Sequence, residues 1–166
     1  MSRQSGTFRL TVVLALVFGS GGSLFASDDE GDRRTLRGIK AVRVVVEDIS
    51  DNANNDGLTV DQIRTDVELR FRRNGVAIAE SGLFLIPYVY VNAHLLRGPS
   101  GLYVFNCEVE LNQPVVLESG SSRLAPTWSM SVLGSVGKEK MPQTIRDTVG
   151  DLVDRFINAY LGANPK

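Results

Sequence analysis

Residues 88–111 read YVYVNAHLLRGPSGLYVFNCEVEL, and this stretch decides the fold. Apolar and polar residues alternate on either side of Gly98-Pro99-Ser100-Gly101, a cluster that turns the chain. Strict alternation over this length is the mark of strands buried on one face only. Setting Leu96 opposite Leu102 places Val89, Val91, Ala93 and Leu95 across from Val109, Cys107, Phe105 and Tyr103, so apolar meets apolar in each row. The segment is predicted to be a β-hairpin with one wet face.

Downstream, Pro114 interrupts the strand and predicts an edge or a bulge, Val115-Val116-Leu117 continues it, and Ser119-Gly120-Ser121-Ser122 turns it. Trp128, Met130 and Val132 then share one face of a third antiparallel strand, with Thr127, Ser129 and Ser131 on the other. Ile145, Val149, Leu152, Val153, Phe156, Ile157, Tyr160 and Leu161 recur at three and four, which predicts a C-terminal helix begun near Pro142 and ended by Gly162 and Pro165.

Upstream, the β-branched run Val42, Val44, Val45, Val46, starting near Ile39, predicts a first strand, with Arg43 and Glu47 on its alternate face. Asp51 to Gly57 is rich in turn formers and reads as a loop. Thr59 and Gln62 fit a capping box, Val60, Ile63, Val67 and Phe71 fall on one helical face, and Asn74-Gly75 supplies the stop. Leu69 sits opposite that stripe. Val76 to Ala79 reads as a short strand and Glu80 to Phe84 as a turn. The order β-α-β-β-β-β-α predicts an α+β two-layer sandwich, a mixed or antiparallel sheet with two helices on one face.

Residues 1–26 read as an export signal: Arg3 and Arg9, an apolar run from Leu10 to Phe18 broken only by Thr11, then small residues from Ser20 to Ala26. Cleavage is expected after Ala26 or Ser27, with an uncleaved N-terminal anchor as the alternative. Residues 27–37 read as a flexible leader and 38–166 as one domain, a usual size for a single core. The only cysteine is Cys107, so neither an intrachain disulfide nor a lipid-bearing cysteine after the apolar run is expected. Of 18 basic residues, removing Arg3 and Arg9 leaves 16 against 19 acidic ones. That balance, with Asp66 and Glu68 interleaved among Arg70, Arg72 and Arg73, argues against a nucleic-acid partner. Export without a retained apolar segment predicts a periplasmic or secreted protein with no stable membrane span.

The chemistry-bearing residues are few. Asn52, Asn54, Asp56 and Gly57 resemble the start of a calcium loop, but Ile63 stands where the bidentate glutamate belongs. Cys107 and His94, the sole members of their types, are expected on opposite faces, too far apart for a nucleophile and base. Asp66, Glu68 and Glu80, or Glu108 with Glu110, could form an acid–base pair; a solvated face explains them more simply. No nucleophile elbow or phosphate-binding glycine loop occurs. No catalytic residue, metal or cofactor is therefore expected. Tyr88, Tyr90, Asn92 and His94, beside Asn106 and Glu108, line the polar face of the hairpin and form the best candidate for binding an envelope protein or small ligand, since tyrosine brings contact area at low entropic cost. The alternative is a small periplasmic hydrolase using a carboxylate pair or a metal.

Thr65-Asp66-Val67-Glu68-Leu69-Arg70-Phe71-Arg72 with Gly75, Thr127-Trp128-Ser129, and Phe156 to Leu161 ending in Asn164-Pro165-Lys166 resemble a family of small exported bacterial proteins of unknown function. The element order is similar to envelope accessory domains of the LptE type and to the N-terminal domain of TolB, without the lipid-bearing cysteine of the former. The resemblance implies an exported protein and carries over no catalytic residue.

Overall fold

The computed structural model describes residues 29–79 and 86–165. The segment expected to be an export signal and the turn expected at Glu80 to Phe84 lie outside them. In chain order the elements are α1 (Glu30–Thr35), β1 (Arg43–Val46), α2 (Asp51–Asn55), α3 (Val60–Arg73), β2 (Tyr88–Arg97), β3 (Leu102–Val116), β4 (Ser122–Gly137), a single 3₁₀ turn (Lys138–Lys140) and α4 (Met141–Ala163). The strands lie in the order β1-β2-β3-β4. β1 runs parallel to β2, and the later pairs are antiparallel. The expected α+β two-layer architecture is what the chain adopts, with α3 and α4 packed on one face of the sheet.

Each element follows from local chemistry. The Thr59 hydroxyl accepts from the Gln62 amide (3.2 Å) while the Gln62 side chain accepts from the Thr59 amide (3.0 Å), the reciprocal cap that starts α3. Gly75, at φ +73°, lets the chain leave the helix. Ile63, Val67 and Phe71 are buried, and Leu69 is exposed as its position on the wheel requires. From α4, Ile145, Val149, Leu152, Val153, Phe156 and Ile157 meet the inward strand residues Val89, Val91, Cys107, Val109, Leu111, Trp128 and Met130. Two ion pairs join the helices on the solvent side. Arg146 grips both oxygens of Asp66 (2.7 and 3.0 Å), and Arg70 pairs with Asp154. At partly exposed positions such pairs contribute about 0–1 kcal/mol each, so burial holds the layers together.

Four local expectations differ from the structure. The hairpin register is offset by two residues: Leu96 faces Val104, Ala93 faces Cys107 and Leu95 faces Phe105. Gly98 donates to the Leu102 carbonyl (2.8 Å), and Gly101 at φ +80° closes a loop of three residues, tighter than the five implied by a Leu96–Leu102 pair. A shift of two keeps every side chain on its own face. The strand expected at Val76 to Ala79 shrinks to one parallel bridge between Val42 and Ile78. Residues 27–37, expected as a flexible leader, contain α1, capped by Asp29. Leu36 is fully buried, and Asn164 clamps this stretch by donating to the Leu36 carbonyl (2.9 Å) and accepting from the Gly38 amide (2.7 Å). Finally, the loop expected at Asp51 to Gly57 contains the short helix α2, whose Ala53 is buried.

Pro114 sits where β3 extends beyond β2, whose last partner on this side is Asn112, and so it interrupts no ladder bond to β2. A bulge between Leu111 and Asn112 lies just before it.

Asp56, which ends α2, anchors that helix to the sheet. Its carboxylate accepts from the Tyr103 hydroxyl (2.7 Å) and from Lys138 Nζ (2.8 Å), with Arg97 at 3.7 Å. These partners replace the calcium-loop geometry that the asparagines suggested. The hydrogen bonds from Lys138 and Tyr103 hold the Asp56 carboxyl below its usual range. Because the folded pKa is depressed, the stability this group contributes is present above the unfolded carboxylate pKa of about 4 and is lost as pH falls through the folded value. Asp56→Asn is expected to lower the melting temperature at pH 7 and to flatten the acid limb below about pH 4. Melts from pH 7 to pH 2.5 check this, and an unchanged acid limb would count against it.

Candidate functional site

α3 and α4 cover one face of the sheet, and the other carries the alternate residues of all four strands. Period-two alternation puts Arg43, Val45 and Glu47 beside Tyr88, Tyr90, Asn92 and His94, then Asn106, Glu108 and Glu110, then Ser129 and Ser131. Asn92 stands directly opposite Glu108, His94 opposite Asn106, and Tyr90 opposite Glu110. All six residues named from the sequence therefore lie on one continuous surface.

Its electrostatics are those of an acceptor-rich patch. The Tyr90 hydroxyl donates to Glu47 (2.6 Å), and this bond, with burial and the nearby carboxylates, pushes the phenol up to about 12. Burial, and then the charge of Glu110, raise the Glu108 carboxyl above its usual range. Asn112 donates to Glu110 (3.3 Å). Asn92 Oδ1 is buried without a hydrogen-bond partner, an acceptor whose desolvation is uncompensated. The Arg43 guanidinium lies 5.5 Å from the centre of the Tyr88 ring, within cation–π range. Beyond His94 the surface becomes apolar, with Leu96, Leu102, Val104 and Leu133 exposed.

Two of these participants, Arg43 and Glu47, were legible only as the polar side of a strand. Their place beside the tyrosines depends on the parallel pairing of β1 with β2, which alternation does not reveal. The exposed leucines at the far end had a weak signal, since Leu95-Leu96 breaks the alternation.

The other candidate chemistry is dispersed. Cys107 points into the core, where burial pushes its thiol up to about 12, and His94 is on the opposite face, so they form no nucleophile pair. Asp66 is held by Arg146, and Glu68 by Arg72 (2.6 Å); Glu80 lies outside the described residues. Among the described residues no group of three or more His, Cys, Asp or Glu could hold a metal ion, and no helix is long and apolar enough to cross a membrane.

No protein-family model matches the sequence, and no curated protein matches it. Among solved structures, the chain is similar to a minor lipoprotein from Acinetobacter baumannii, at 14% identity and a TM-score of 0.35, over 72% of this chain and 91% of that one. It is similar to PelC from Paraburkholderia phytofirmans, described as a dodecamer, at 12% identity and a TM-score of 0.42, over 80% and 93%. It is also similar to rare lipoprotein B from Shewanella oneidensis, at 14% identity and a TM-score of 0.38, over 72% and 94%. No family membership follows from likenesses of this extent.

Proposed function

We propose that this chain is an exported, non-catalytic cell-envelope protein that binds a partner or ligand through the open sheet face formed by Tyr88, Tyr90, Asn92, His94, Asn106 and Glu108. The export reading of residues 1–26 supplies the compartment. One observation carries the binding reading: Asn92 Oδ1, in the middle of this face, is buried with no donor, while Tyr90 and His94 neighbour it along the strand and Glu108 stands opposite. A ligand that displaces the side chains covering that oxygen and presents N–H or O–H groups to it would satisfy the acceptor and lay apolar area on Tyr88 and Tyr90.

Tyr88→Ser, Tyr90→Ser and His94→Ser combined are expected to cut capture of the envelope partner by more than about tenfold, the size of loss typical of a central aromatic anchor. The three side chains project from the outer face, so the triple variant should still melt cooperatively. Affinity capture from the envelope fraction, with the variant as control, measures this; equal capture by both would refute the site.

A further inference from the structure

We propose that the groove between α1 and α4, on the helical side of the molecule and remote from the tyrosine face, is an anion site that takes a phosphate-bearing group. Arg33, Arg34 and Arg37 enter it from α1 and the residues that follow, and Arg155 from α4, around a space of about 500 Å³. Glu30 is the sole acid in the lining and is paired with Arg34 at 2.6 Å. Asp29 and Asp32 flank the groove from the same short helix. Four arginines against Glu30, Asp29 and Asp32 leave a local balance of one positive charge, in a chain whose formal charge is −1.

The floor explains why the concavity exists. Ala159, Gly162 and Ala163 recur at three and four along α4 beneath the arginines, and at Gly162 a side-chain carbon would meet nothing within 4 Å. The guanidinium is a planar fork of donors that pairs bidentately with phosphate oxygens, and several forks lining one concavity favour phosphate over a lone carboxylate. α1 is also fixed in place. Leu36 is buried, the Thr35 hydroxyl lies 3.0 Å from the Thr127 carbonyl, and Asn164 holds residues 36 and 38, so part of the ordering cost is met before a ligand arrives.

The phosphate could belong to a lipid headgroup or to a free anion, and two arms separate these. In the first, the full chain is floated with vesicles of phosphatidylglycerol or of phosphatidylcholine. In the second, inorganic phosphate is titrated while the backbone amides of residues 33–37 and Gly162 are followed by NMR. Preference for phosphatidylglycerol supports the headgroup; saturable shifts at those amides with phosphate support the free anion. In either case Arg33→Gln with Arg37→Gln and Arg155→Gln should weaken binding by about tenfold or more. Gly162→Glu, which fills open space and puts a negative charge on the floor, should do the same without loss of folding, and Glu30→Gln should strengthen binding. Absence of both responses, or binding unchanged by the arginine triple variant and by Gly162→Glu, would overturn the proposal.

Discussion

Phe156→Ala is expected to lower the stability of the domain by about 3–5 kcal/mol, which brings a chain at the low end of the usual range of about 5–15 kcal/mol close to its midpoint. Phe156 is fully buried and is the ring on which the two layers converge. Its centroid lies 5.7 Å from Phe71 of α3, 5.2 Å from Trp128 of β4 in an edge-on arrangement, and 6.3 Å from Tyr160 one turn along α4. Truncation removes its transfer free energy and leaves a cavity bounded by three aromatic groups anchored in different elements, which cannot close together. The exposed Leu69 provides the control, since Leu69→Ala on the same helical layer should shift stability by less than about 0.5 kcal/mol. Urea midpoints measure both; a loss below about 1 kcal/mol at Phe156 would mean that the aromatic cluster does not join the layers.

Why this residue could be singled out is itself a matter of periodicity. The α4 stripe, the α3 cap and stop, and the alternation of the hairpin are local patterns repeated over many residues, and burial acts on every repeat, so the sequence displays them directly. What it concealed depends on single contacts between distant segments. The hairpin register turns on whether Gly101 or an earlier residue takes the left-handed conformation, a choice that leaves the hydrophobic pattern unchanged. The region around Leu36 looked too polar to pack because one buried leucine and one asparagine, Asn164, hold it, and neither makes a period. Val76 to Ala79 has strand-like composition, yet its pairing stops at one bridge, in which Ala77 and Ala79 on either side of Ile78 bond to Val42.

The same division applies to the tyrosine face. Tyr88, Tyr90, Asn92 and His94 share a side because alternation alone puts them there. Glu47 reaches Tyr90 only because a crossover through α3 returns β2 parallel to β1, and Asp56 is drawn from an apparent calcium loop only because Tyr103 is buried and its hydroxyl needs an acceptor. Pairwise topology decided both, and one sequence contains no pattern for it.

Cys107 turns the packing of the hairpin into a measurable rate. It is fully buried opposite Ala93, and burial pushes its thiol up to about 12, which depletes the reactive thiolate at a fixed pH. Thiolate is the reacting species, and the surrounding side chains also block approach. Labelling of the folded chain at pH 8 by an aromatic disulfide reagent is therefore expected to be slower than that of the urea-unfolded chain by at least about a thousandfold, proceeding only through molecules that open. Phe156→Ala should then speed labelling in proportion to the fraction it unfolds, so that two independent measurements report one core. Since the reagent must pass between the sheet and α4 to reach the sulfur, comparable rates for folded and unfolded chains would mean that the inward face of the hairpin is not covered. In an oxidising compartment the same burial keeps the folded chain from forming disulfides with its neighbours, leaving that reaction to the unfolded fraction alone.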